Sequence, residues 1–234
     1  MTLRRSAFLL LLAAFSLVPP AISRPMRRVS LVSCQAQGTQ TFDQVFRYVQ
    51  GFPEPKMHQD LGTAGIERLS GFAPSRFWQN PGLTIGSHEL QTSYLITGVT
   101  RPGHGGVCVW LQSLDLAFRY TDLDVYVSND YDPGSCEGKV IRAHEMLHVA
   151  VHRRLYGKYK VQLGRAIRNL QLPSASHPRH YASLAAAKAA IGKSIKAASE
   201  GVYNRFKREL TVENGKLDTP ENYRKTQAQC GHWK

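Results

Sequence analysis

The sequence predicts an α+β fold: an antiparallel β-meander followed by a helix carrying HExxH and a second long helix. Two observations predict it. Segments rich in β-branched and aromatic residues recur between about residues 83 and 129, and after residue 135 the apolar pattern changes to a helical period. The strands expected are 94–99, 107–111, 116–120 and 123–127, separated by turn-forming residues at 101–106, 113–115 and 120–122. An earlier strand is expected at 29–33, and Pro53 and Pro55 mark a turn. Ser135 is a good helix N-cap, and Val140, Leu147, Val151 and Leu155 form the apolar stripe of a helix reaching to about residue 170. A second helix is expected over about 180–213, with Leu184, Ile191, Ile195, Val202 and Phe206 as its stripe and Asn214-Gly215 as its C-cap. Thr219-Pro220 then opens a short last helix, because proline suits the first helical position.

The N-terminus is of another kind. Arg4 and Arg5 precede an apolar run over 7–18, and Ala21-Ile22-Ser23 supplies a small-x-small cleavage pattern. Residues 1–23 are therefore expected to be a secretory signal peptide, since Pro19-Pro20 ends the run short of the ~20 residues a spanning helix needs. Residues 24–234 are expected to form a single domain, β-rich over 24–135 and helical over 136–234, without a transmembrane segment, exported to the periplasm or medium. Leu31-Val32-Ser33-Cys34 spells a lipoprotein-type box, but Arg24, Arg27 and Arg28 separate it from the apolar core, which argues against lipidation of Cys34. In an oxidising compartment the four cysteines imply two disulfides, and Cys108–Cys136 with Cys34–Cys230 is the pairing expected. With no CxxC-like pair, they are not expected to bind metal.

Charge is uneven. Residues 139–234 hold 19 Lys+Arg against 6 Asp+Glu, whereas residues 24–138 hold 9 against 11. The basic C-terminal half would suit an anionic polymer, although long solvated helices carry such charge for solubility alone.

Residues 144–148 read His-Glu-Met-Leu-His. On a helix, i and i+4 lie one turn apart on one face, so His144 and His148 can both reach one tetrahedral Zn2+. Relative to Val140 they sit about 40° and 80° round the helix, bordering the apolar stripe. Glu145 falls about 60° beyond His148, where a general base would stand.

An HExxH helix preceded by a β-meander in an exported chain resembles the zincin metallopeptidases. The match is specific over about residues 122–152. By that resemblance His144 and His148 bind zinc, Glu145 activates water for hydrolysis of a peptide, and the strand at 123–127 is the edge strand that holds extended substrate. The segment 217–223 and the late cysteine also look like those of small bacterial exported HExxH proteins. A third ligand is not supplied by the motif. The metzincin type requires HExxHxxGxxH, but Val149-Ala150-Val151 has no glycine, and His152 lies about 12 Å along the axis from His144. The aspzincin type requires a GTxDxxYG-like segment, which is absent. The gluzincin type takes a glutamate from a following helix, which makes Glu209, on the apolar face, the first choice and Glu200 the second. His177, His180 and Asp218 follow. Tyr156 and Tyr159 are candidates to stabilise an oxyanion, with packing the simpler role for both. His104 reads as a polar turn residue, and Trp78, Trp110 and Trp233 as packing residues.

The expected activity is thus zinc-dependent hydrolysis of a peptide or protein substrate. A cell-wall peptide amide is the alternative substrate; a structural zinc, or polyanion binding with an incidental HExxH, is the alternative without catalysis.

Overall fold

Two long strands organise the chain in the computed structural model, which describes residues 34, 45–71, 80–101, 103–231 and 233. β1 (Val45–Gly51), β2 (Lys56–His58) and α1 (Thr63–Ser70) precede the hairpin of β3 (Gly82–Arg101) and β4 (His104–Val127). α2 (Cys136–Arg168), β5 (Arg179–Tyr181), α3 (Leu184–Leu217) and α4 (Pro220–Gln227) follow. The signal peptide expected at 1–23, the strand expected at 29–33 and Trp78 lie outside the described residues.

β4 is the central strand. β3 pairs antiparallel along nearly its whole length on one edge. The other edge is taken in succession by β5, antiparallel at Val107–Val109, β1, parallel at Ser113–Arg119, and β2, parallel at Asp124–Tyr126. The α+β character holds, but the four-stranded meander does not. Of the turns expected, that near 101–106 closes the hairpin, with Gly103 and Gly106 at φ of 77° and 93°. The other two are bulges within β4. Leu95 and Ile96 face Ser113 and Leu111, skipping Gln112, and Ser87 and His88 face Asp122 and Tyr120, skipping Thr121. Each extra residue resets the alternation of side chains. The inward series therefore runs 107, 109, 111, then 114, 116, 118, 120, then 123, 125, 127, every member buried.

A second correction follows from this order. Residues 123–127, flanked by β2 and β3, are not an edge strand. The edge belongs to β3, which among the described residues pairs only with β4.

α2 and α3 lie against the inward face of the sheet, where Leu155, Tyr156, Tyr159 and Leu163 of α2 meet Ile191, Ile195, Val202 and Phe206 of α3 and the alternate residues of β4. Leu147 is 52% exposed, and Val140 and Val151 are only half-buried. The buried stripe of α2 is Ile141, His144, Glu145, His148, His152, Leu155, Tyr156 and Tyr159. It is phased about one residue away from the expected stripe, because its centre is polar.

The disulfides are Cys34–Cys108 and Cys136–Cys230, not the pairing expected. Nineteen residues of strand carry the chain about 60 Å from Cys108 to the end of β4, far beyond the ~7 Å limit for bridged Cα atoms. Cys136, in the first turn of α2, meets instead the segment after α4. With its sulfur in a disulfide, Cys34 has none left for a lipid thioether. No helix among the described residues is long and apolar enough to cross a membrane.

Candidate metal centre

The N-terminal half of α2 starts cleanly because Ser135 Oγ accepts the backbone N–H of Gly138. That turn aims His144 and His148 at the far end of α3. α3 does not stop at Asn214-Gly215. It continues to Leu217, with Asp218 as its C-cap, and Gly215 keeps a negative φ. The added turn puts Asn214 and Asp218 four residues apart on the face that meets α2.

Three atoms converge between these helices. Asp218 Oδ1 lies 3.1 Å from His144 Nε2 and 3.0 Å from His148 Nε2, and the two imidazole nitrogens are 3.3 Å apart. Both histidines are buried, while the Asp218 side chain is 40% exposed, so the cluster opens to solvent on its side. The Glu145 carboxylate joins the group, within 4.8 Å of the imidazole nitrogens. It is turned towards β3, where Oε2 accepts the Thr84 hydroxyl at 2.8 Å.

The donor set suits a cation. If both Nε2 atoms carried protons, the two N–H groups would oppose each other while competing for one carboxylate oxygen. Lone pairs directed at a shared cation satisfy all three atoms at once. For bonds of about 2.0–2.1 Å, the edge of a tetrahedral zinc site is about 3.3–3.4 Å, close to the triangle seen here. His144, His148 and Asp218 are therefore the residues that fit a metal. Glu145, engaged with Thr84, stands beside them.

Electrostatics support that division of roles. Burial lifts the Glu145 carboxyl above its usual range, opposed by His148 and by the Thr84 hydrogen bond. For Asp218, burial acts upwards, but hydrogen bonds from His144 and His148 outweigh it and hold the carboxylate ionised. His148 is raised: burial alone would lower it, and Asp218 more than compensates. His152 is lowered to about 4, chiefly by burial, and is neutral near pH 7. Burial and the neighbouring Asp218 carboxylate keep the Tyr223 phenol protonated, and it donates to Asp218 Oδ1 at 3.0 Å.

Of the third ligands expected, Asp218 is the one the structure brings to the two histidines, and the others are placed elsewhere. Glu209 lies nine residues before Asp218, about 13 Å up the helix, and its carboxylate accepts from Lys158 Nζ at 2.7 Å and Tyr159 Oη at 2.6 Å. Glu200 is exposed and faces Lys196. His177 bonds to Ser176, and His180 to the Gly105 carbonyl. Tyr156 donates to the Phe118 carbonyl and accepts Gly51 N–H, so it and Tyr159 serve packing. Trp110 is buried, and Trp233 packs on Tyr131.

Four contributors escaped the sequence reading: Gly82, Thr84, Asn214 and Tyr223. The Tyr223 ring packs at a tilt against His144, with ring centroids 5.4 Å apart, at the wall of a cleft that Gly82, Glu145 and Trp233 also line. At Gly82 a Cβ would overlap the Glu145 carboxylate, which is why a glycine sits at the start of an otherwise β-rich strand. The Asn214/Asp218 spacing was the available signal for α3, and reading Gly215 as a stop concealed it. No family model, curated protein or solved structure matches this chain.

Proposed function

We propose that the chain is an exported zinc-dependent metallopeptidase that hydrolyses peptide bonds. One observation carries the reading: His144 Nε2, His148 Nε2 and Asp218 Oδ1 meet within 3.0–3.3 Å beside a buried glutamate. Two disulfides in the described chain are in keeping with export. His144, His148 and Asp218 would hold the ion, with one anionic ligand and an open side. When bound, zinc would lower the pKa of water towards 7 and polarise the scissile carbonyl.

The other roles belong to the chain itself. Glu145 takes a proton from the attacking water and delivers it to the leaving amine. Thr84 fixes the carboxylate against β3 by donating to its Oε2. Tyr223, protonated and beside His144, would exchange its Asp218 acceptor for the oxygen that becomes negative. The start of β3, whose outer edge pairs with no strand among the described residues, lies alongside Glu145, and an extended peptide would add there as a further strand.

The test is Glu145→Gln. It is expected to retain zinc while hydrolysis of an unfolded protein substrate falls about 10²–10⁴-fold. Hydrolysis at the wild-type rate would end this reading.

A further inference from the structure

A buried polar chain leads away from the proposed ligands. His148 Nδ1 lies 3.0 Å from Asn214 Oδ1, Asn214 Nδ2 lies 3.3 Å from His152 Nε2, and His152 Nδ1 lies 2.9 Å from Tyr120 Oη. His152 and Tyr120 are each 4% exposed, so neither exchanges its partner for water. HExxH chemistry has no use for His152, and helix geometry keeps it from the ion.

We infer that Asn214, oriented by His152, is a positioning residue that accepts the Nδ1 proton of His148, so that Nε2, which faces Asp218 in the ion-free protein, is the atom left to make a ligand bond. The inference rests on the metal reading above for its consequence, though not for its geometry.

An amide presents a carbonyl on one side and an NH2 on the other, so whatever it offers His148 it cannot also offer His152. With Oδ1 towards His148, His148 must donate from Nδ1, which leaves Nε2 as the ligand atom. Asn214 Nδ2 then donates to His152 Nε2, so the His152 proton sits on Nδ1 and faces Tyr120. Rotating the amide by 180° reverses every link. Nδ2 would then donate to His148 Nδ1, forcing a neutral His148 to protonate at Nε2 and closing that atom to a metal. His152 would carry its proton on Nε2. The tautomer of a residue outside the ligand set thus reports whether His148 is ready to bind. Such outer partners of metal-binding histidines typically change affinity 10–100-fold when removed.

Two measurements test this. The first is ring 15N NMR on the metal-free protein near pH 7.5. It should show His152 neutral and protonated at Nδ1; protonation at Nε2 overturns the inference whether or not the protein ever binds zinc. The second is zinc affinity by chelator competition, with circular dichroism confirming the fold. Asn214→Ala, at a half-exposed position, should bind about 10–100-fold more weakly. Asn214→Asp, whose two oxygens both accept, should bind at least as tightly as wild type. His152→Leu should weaken binding in the wild-type background and have no effect in the Asn214→Asp background, where orientation no longer matters. Asn214→Ala binding within twofold of wild type overturns the inference. A wild-type protein that takes up no zinc defeats the metallopeptidase reading, and the His152 tautomer still decides this one.

Discussion

Glu145 is held by what surrounds it rather than by its place in a motif. Thr84 donates to its carboxylate, and Gly82 leaves the space it occupies. Gly82→Ala is therefore expected to push the carboxylate aside, lowering hydrolysis at least tenfold while zinc content, set by other residues, stays at the wild-type level. Comparing kcat with metal content checks it, and loss of zinc in this variant would show that Gly82 does more than make room. His152 makes a prediction about pH. Its folded pKa of about 4 lies below the unfolded value of about 6.5, so the unfolded chain binds the extra proton between those values. Stability from this group is complete above about pH 6.5 and is lost as pH falls towards 4, by on the order of 2–3 kcal/mol. Urea unfolding of the metal-free protein at pH 7 and 5 should show that loss, with a shallower one in His152→Leu. His148, raised by Asp218, works in the opposite sense, so the difference between the two proteins is the quantity to read.

At the scale of elements, the last turn of α3 decides the site. Glycine at 215 suits a C-cap because it tolerates a left-handed backbone, but here it is helical with nothing near its missing side chain. Gly215→Ala is expected to stabilise the protein by about 0.5–1 kcal/mol with zinc uptake unchanged. A destabilised variant would mean that the helix ends where the sequence suggested. The same turn shows what was legible. The two long helices, the hairpin turn and the pairing of His144 with His148 on one helix face are legible, since local spacing encodes them. Asp218 follows Glu209 among the candidates because Asn214-Gly215 predicts a helix end short of it. The buried stripe of α2 was misphased because His144, Glu145, His148 and His152 occupy it, and a search for apolar periodicity passes over a polar core. The bulges at Gln112 and Thr121 passed for turns because both interrupt alternation. β1, β2 and β5 take their places through long-range pairing with β4, which no short window contains.

Across the whole molecule, the proposed site draws on β3, α2, α3 and α4, and covalent and packing contacts bring them together. Cys136–Cys230 ties the segment just after α4 to the first turn of α2, and so holds α4, with Tyr223 and part of the cleft wall, in place. Replacing both cysteines by serine should cost about 3–5 kcal/mol in denaturant unfolding, as for closure of a loop of roughly a hundred residues. It should also slow hydrolysis more than it weakens zinc, because Tyr223 moves with α4 and the histidines do not. The central claim, however, is the ligand set. Metal analysis of the purified wild-type, His144→Ala, His148→Ala, Asp218→Ala and Glu209→Gln proteins tests it most directly. One zinc per chain in the wild type and Glu209→Gln, and little or none in the other three, is the result predicted. Zinc retained by Asp218→Ala, or absent from the reconstituted wild type, would contradict it.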